Sequence, residues 1–423
     1  MSTVKGYWRT NPKTGKREWV PTHTRQDSNG GAVAVAPSRQ ATQDPTAASV
    51  AGQQAAQEPF GDPSAASMRD GNYANADLPN DLRGVDASDA WCQNANADGA
   101  DLTGMMAPGS NWKAASLKEA NLRDGDFSAA LFDGADMQRT KVHGLRAPGV
   151  SLKNVAGYRM TGEGVVLDDA DLFNADFPSS HLSGSMKWMK AEDTNFSGGF
   201  ISGNLSELHA PRANFSGSIM RDVDAADSDV SSALFREVKG TQVRLSHANA
   251  AGAQFQDSTF DHLVLENADV TGVHCARMNA SHLNLRGAAG SDASFVAATI
   301  PGVNARRSYL PRSVFRDADA RGGMFGNSTL RGSDWRYADL DRTEFAGAHA
   351  ERSSFAGSRG LGTGNIVGAD FSGCDVSNAD LSDADPSMLR SASWRGATAT
   401  TGTRFPAGFD PEAAGIRVVD DGL

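Results

Sequence analysis

The sequence predicts an all-β fold, a long parallel β-helix with four-sided coils. Two superposed periodicities carry that reading. From Leu205 to Phe355 every fifth residue is uncharged through thirty-one consecutive positions. In a chain that is 22% charged, random placement reaches this about once in two thousand trials. The residue two before each centre is Ala, Gly, Ser or Thr in twenty-two of the thirty-one cases and Val, Leu or Met in the other nine. Two positions in five therefore point inward. The position between them is mostly polar, as at Asn214, Asp224, Asp229, Gln254, Asp269, Asp319, Asp334 and Asp339. The second period is twenty: Phe215, Phe235, Phe255, Cys275, Phe295, Phe315, Trp335 and Phe355 follow one another at that spacing. Four sides of five residues bring these side chains into one vertical stack. An α-helix scatters a five-residue period over all its faces, and a single strand alternates with period two.

The elements follow in chain order. In residues 1–25, the strings Val4-Lys5-Gly6-Tyr7-Trp8-Arg9 and Arg17-Glu18-Trp19-Val20 flank an Asn11-Pro12-Lys13-Thr14-Gly15-Lys16 turn, which predicts a β-hairpin. It carries six basic residues against Glu18 alone. Two strands by themselves are marginal in water, so this hairpin needs a surface to pack on. Residues 26–70 are rich in Ala, Gln, Ser, Pro and Gly, with few large apolar residues beyond Val33, Val35, Val50, Phe60 and Met68, and read as a flexible linker. Such a segment has an r.m.s. reach of roughly 35–40 Å. The repeat array is expected over 71–399, its pattern clear from Ala76 onward.

Within that array Ala120-Asn121-Leu122-Arg123-Asp124, Ala170-Asp171-Leu172-Phe173-Asn174, Ala213-Asn214-Phe215-Ser216-Gly217, Ala369-Asp370-Phe371-Ser372-Gly373 and Ala379-Asp380-Leu381-Ser382-Asp383 recur in register. These strings resemble the A(D/N)LXX unit of pentapeptide-repeat proteins, over about three quarters of the chain. The resemblance implies a right-handed quadrilateral β-helix with Leu/Phe centres and small residues inside and Asp/Asn outside. About sixteen coils follow, and at about 4.8 Å per coil a rod about 75–80 Å long. The phase slips by four-residue steps at Leu182 to Met186 and Ile201 to Leu205, and by six from Phe355 to Leu361 beside Gly360, Gly362 and Gly364. Kinks or bulges are expected there. Asp385-Pro386 interrupts the pattern again. Residues 400–423 are expected to cap the open end, with Phe405, Phe409 and Ile416 covering the last coil and Asp410-Pro411-Glu412 to Gly415 forming a short capped helix.

Composition narrows the function. A net charge of −11 argues against a surface that wraps nucleic acid, leaving only the basic N-terminus for that role. Cys92, Cys275 and Cys374 are far apart and odd in number, which fits neither a disulfide framework nor a CxxC metal site. With no apolar run of signal-peptide or membrane-spanning length, a cytoplasmic, soluble protein is expected, with no membrane partner. His181, His209, His274 and His349 fall at the outward position before a centre. His262 and His282, twenty apart, should stack on one face, without the spacing of a recognised metal motif. Gly360-Leu361-Gly362-Thr363-Gly364 lacks the Lys-Ser/Thr ending of a phosphate loop and reads as absorbing the phase slip. Asp recurs at one outward position throughout, so no carboxylate pair stands out, and a convex prism offers no deep cleft. Catalytic, cofactor-binding and metal-binding residues are accordingly expected to be absent. Arg306, Arg307, Arg312, Arg316, Arg321, Arg331, Arg336 and Arg342 are interspersed with Asp317, Asp319, Asp334, Asp339, Asp341 and Glu344, a pattern of surface ion pairs rather than a nucleic-acid track.

The expected function is structural: a stiff rod tethered by residues 1–25, with Tyr7, Trp8, Arg9, Trp19, His23 and Arg25 as the anchor to a protein partner or larger assembly. Residues 1–25 also resemble a short N-terminal element of some bacterial and phage proteins, which implies a virion component assembled in the cytoplasm. A homo-oligomer through a rod end is a further expected contact. The alternative comes from the pentapeptide-repeat resemblance, since some members mimic duplex DNA and bind type II topoisomerases such as gyrase. Residues 71–423 hold thirty-two Lys/Arg and forty-five Asp/Glu, net −13, whereas duplex DNA as long as the rod carries about 45 charges. Mimicry along the whole rod is therefore poor.

Overall fold

The computed structural model describes residues 7–10, 17–20 and 67–420, and the chain divides into two units, Met1–Asp44 and Pro45–Leu423. In the first, β1 (Tyr7–Thr10) pairs antiparallel with β2 (Arg17–Val20), with Trp8 opposite Trp19 and Arg9 opposite Glu18. His23, Arg25 and linker residues 26–66 lie outside the described residues. The last residues assigned to the linker from sequence do not belong there. The first bridge of the second unit joins Ser67 to Asp86, and Met68 is already a fully buried centre.

The second unit is a parallel β-solenoid with four ladders of bridges, one per side. Successive members are usually twenty residues apart, as in Asp101, Asn121, Lys141 and Thr161, or Leu131, Ser151 and Asp171. One repeat shows why five residues suffice. Asp126 N–H donates to the Met105 carbonyl of the preceding coil (2.8 Å), and Phe127 N–H to the Arg146 carbonyl of the next (2.8 Å). Ser128 N–H donates to the Asp126 carboxylate (3.0 Å). Ala129 N–H reaches the Pro148 carbonyl of the next coil (2.9 Å), and Ala130 N–H closes the turn on the Phe127 carbonyl (3.0 Å). Every N–H of the repeat is satisfied, as a buried backbone requires, and the carboxylate before the centre supplies the one acceptor the backbone lacks. The turn places Ala129 at φ 54°, the left-handed region that favours Gly and Asn.

On one side the repeats open into longer strands: β3 (Thr161–Val166), β4 (His181–Ser185), β5 (Phe200–Asn204), β6 (Ile219–Asp224), β7 (Lys239–Arg244), β8 (Thr259–Val264) and β9 (Asn279–Ser281), in that order across a seven-stranded sheet. The two four-residue steps read from the sequence lie in β4 and β5, which shorten the coils to nineteen residues, His181 to Phe200 to Ile219. Toward the other end the coils lengthen, to Asp370 from His349 and to Ser393 from Asp370. The second excess is taken up by α1 (Pro386–Ser391), N-capped by Asp385, whose carboxylate accepts from Ser387 N–H at 2.7 Å. Leu389 of α1 is fully buried.

After β10 (Thr398–Thr400) the chain turns back, and β11 (Arg417–Val419) pairs parallel to it. Phe409 and Ile416 are buried there, and the Phe405 and Phe409 rings lie 5.6 Å apart. The helix expected after Asp410 is not formed; isolated turn bonds close it instead, Ala414 N–H to the Asp410 carbonyl and Gly415 N–H to that of Glu412. The demand of β11 for a partner draws the chain back into extended form within one turn. The ladders also overrun the expected end of the array, because Arg404 still bridges Asp380.

Candidate functional site

The interior is a column of rings. Phe215 stacks on Phe235 at 5.0 Å and Phe235 on Phe255 at 4.8 Å, with planes within 9°. After Cys275 the column resumes as Phe295, Phe315, Trp335 and Phe355, at 4.9, 4.0 and 6.0 Å. Two members escape a twenty-residue count: Phe177 and Phe196 extend the stack below Phe215, at 6.0 and 5.2 Å. They are offset by the nineteen-residue coils, and following the slips one coil at a time would have found them. Trp335 also donates its indole N–H to Ser333 Oγ (2.6 Å), which contacts Ser353 Oγ (3.0 Å), which in turn donates to the Leu330 carbonyl (2.8 Å). Burial pushes the Cys92 and Cys374 thiols up to about 12 and raises that of Cys275 as well, so all three stay neutral inside.

Outside, charges meet in pairs. Arg306 pairs with Glu344, Arg312 with Asp292, Arg316 and Arg336 with Asp334, Arg321 with Asp319, Arg331 with Glu351 and Arg342 with Asp341, at 2.7 to 3.4 Å. The guanidinium groups of Arg312 and Arg321 hold Asp292 and Asp319 below the usual carboxylate range. The arginine-rich stretch is thus largely neutralised in place, and its field on a phosphate backbone is weak. The acidic excess lies elsewhere. Residues 67–136 hold twelve Asp/Glu against five Lys/Arg.

The outward positions hold His181, His209, His274 and His349 on their ladders, and the His262 and His282 rings stack at 4.2 Å. The Gly360–Gly364 segment forms a turn in which Gly360 and Gly362 take φ of 74° and 87°, and a side chain on Gly360 would strike the backbone of Asp341. Surface depressions are open and shallow, such as the one bordered by Asn267, Asp269, Tyr309 and Arg312. Tyr309 and Tyr337 stand 55% and 65% exposed beside the paired charges. Of the residues expected from the sequence to anchor the chain, Tyr7, Trp8 and Arg9 lie on β1 and Trp19 on β2. Among the described residues no helix is long and apolar enough to cross a membrane.

Square parallel coils with sides of five residues define the class of protein, a β-solenoid of five-residue repeats. The model of the pentapeptide-repeat family matches the chain in eight copies within residues 110–154, 241–274 and 365–385. Similar solved structures include QnrB1, a plasmid-mediated fluoroquinolone resistance protein, at 18% identity over 44% of this chain and 92% of that one, with a TM-score of 0.23. HetL, a pentapeptide-repeat protein involved in heterocyst differentiation regulation from the cyanobacterium Nostoc, is 19% identical over 70% of this chain and 88% of its own, with a TM-score of 0.14. A mannuronic acid specific polysaccharide lyase from human gut microbiota is 10% identical over 89% and 90%, with a TM-score of 0.25. No curated protein matches the chain.

Proposed function

We propose that this is a non-enzymatic interaction protein made in the cytoplasm, a stiff rod attached to a larger assembly through residues 1–25. The observation that carries the reading is the β1–β2 pair, a two-stranded sheet in a unit of its own. Two strands are marginal in water without a third surface, and a partner that lays one down would both fold and hold the element. Tyr7, Trp8, Arg9, Trp19, His23 and Arg25 are the contact residues in this reading, and a phage virion is the assembly that the resemblance of residues 1–25 suggests. The rod's walls, with shallow depressions and paired charges, suit spacing and lateral contact better than catalysis. Deleting residues 1–25 is expected to leave the rod folded and abolish its co-sedimentation with the native assembly. Undiminished incorporation of the truncated chain refutes the tether.

A second reading, binding to a type II topoisomerase by imitation of duplex DNA, is favoured by the charge of the first coils. Residues 67–136 carry a net −7 over roughly 17 Å of rod at about 4.8 Å per coil, where duplex DNA carries about 10 charges. That segment approaches DNA far more closely than the rod as a whole. A gyrase supercoiling assay discriminates: inhibition or protection at stoichiometric amounts of rod, lost when Asp77, Asp81, Asp98 and Asp101 become Asn, supports mimicry, and no effect at tenfold excess rejects it.

A further inference from the structure

We propose that Asp261, His262 and His282 form a zinc site on the wall of the rod, joining two adjacent coils. The solenoid itself builds the arrangement. His262 and His282 occupy the same left-handed turn position one coil apart, with φ of 62° and 57°, so both side chains leave the backbone in the same direction. Their rings lie 4.2 Å apart and within 13° of parallel. Asp261, on β8, is paired in register with Ser281 on β9, and one of its carboxylate oxygens faces the Nδ1 atoms of both imidazoles. His262 Nδ1 is 2.9 Å from Asp261 Oδ1 and His282 Nδ1 is 3.1 Å from the same oxygen.

A second observation also favours a cation here. His262 Nδ1 is shielded from water yet makes no hydrogen bond, because its approach to Asp261 Oδ1 is too poorly directed. That oxygen is already engaged by Ser281 Oγ at 2.9 Å and by His282 Nδ1. A buried imidazole nitrogen without a well-directed hydrogen bond is uncommon in folded proteins, and a cation beside it turns the liability into a bond.

The distances suit zinc. Tetrahedral zinc with bonds of about 2.0–2.2 Å holds its ligand atoms roughly 3.3–3.5 Å apart, and the three donor atoms here all lie within 4.8 Å of one another. The imidazoles must swing out of their stack so that both Nδ1 lone pairs converge, and with side chains 42% and 65% exposed they have room. Two imidazoles and a carboxylate leave the fourth position to water. Asp222 and Asp224 border the groove beside His262 and add negative potential; Arg244, also in the groove, has its charge turned to Asp224 at 3.9 Å. The cluster of His349, Glu351 and Asp370 differs, because Arg331 already supplies a cation to Glu351 through bonds of 2.9 and 3.1 Å.

The experiment is equilibrium dialysis of the full chain against zinc sulfate, followed by thermal melting. Wild type is expected to retain one zinc per chain removable by EDTA, and to melt at higher temperature when loaded, since a ligand bound only to the native state stabilises it. The H262A/H282A double variant should retain none and show no zinc-dependent shift, while D261N, which keeps both imidazoles, binds at least tenfold more weakly. H349A should behave as wild type. Equal zinc uptake by wild type and the double variant, or no uptake by wild type at tenfold molar excess, overturns the proposal.

Discussion

Gly184 and Gly203 are the residues on which the shortened coils depend. Their φ values are 146° and 107°. A Cβ on Gly184 would collide with the carbonyl oxygen of Val165, and one on Gly203 with that of Gly184. Both obstacles are backbone of the preceding coil and cannot swing aside. Gly134 is a useful contrast, with φ 70° but open space where a Cβ would stand. Gly134→Ala should therefore cost about 1 kcal/mol, the left-handed penalty alone, and Gly203→Ala about 2–3 kcal/mol or more, as steric strain adds to it. Urea unfolding of the two variants measures the difference; equal midpoints would show that the short coil yields easily. A second residue-scale effect is acid sensitivity. Asp81 is held down to about 2 chiefly by the Arg83 guanidinium, and Asp86 to about 2 chiefly by the Ser88 hydroxyl, with Arg69 adding to it. Because both lie below the ordinary carboxylate value of about 3.9, the unfolded chain takes up protons first. Their contribution is complete above about pH 4 and is lost as pH falls toward 2. Melting temperature should fall across that window, less steeply in Asp86→Asn; both groups are exposed, so added salt should blunt the contrast.

At the scale of elements, the aromatic column is the feature most open to test. Phe235 is held between Phe215 and Phe255 and is buried. Phe235→Ala opens a cavity the narrow coil cannot close by collapse, at a cost of about 3–5 kcal/mol. Differential scanning calorimetry is expected to show the array losing cooperativity near that coil, and a loss under about 1 kcal/mol would mean the column is not the main support of the core. The column was legible from Phe215 to Phe355 because twenty-residue spacing becomes vertical alignment once the coil has four equal sides. Below Phe215 the same arithmetic fails, since each nineteen-residue coil shifts the count and hides Phe196 and Phe177. Local capping signals were ambiguous for a different reason. Asp385-Pro386 and Asp410-Pro411 offer the same Asp-Pro start, but only the first opens a helix, because Leu389 finds a buried place whereas Arg417–Val419 is claimed by β10. For the histidine cluster, the spacing of His262 and His282 was visible in the chain. The part played by Asp261 was not, because it depends on a side chain turning toward its neighbours at the edge of β8.

The solenoid is a stack in which each coil is supported only by the coils beside it, so its stability is a sum of local terms and the ends are its weakest places. At the C-terminal end, residues 401–420 return so that β11 occupies the edge of β10, and Phe409 and Ile416 of the returning segment are buried. Arg390 adds a hydrogen bond to the Gly408 carbonyl, tying the returning segment to the coil of α1. Removing residues 401–420 uncovers the edge at Thr398–Thr400 together with the apolar surface around Leu389 and Trp394. An open parallel edge is a template for another chain, and here the exposed edges are identical, so ends of two copies can pair. The truncated protein is expected to associate with concentration, seen as a rising mass in light scattering. Hydrogen exchange should show the coils from Asp370 onward opening more readily while those around Phe255 keep their protection. A truncated rod that stays monomeric with unchanged exchange at Phe371 and Trp394 would mean the last coil is stable without its cover, and that the returning segment serves some purpose other than closing the stack.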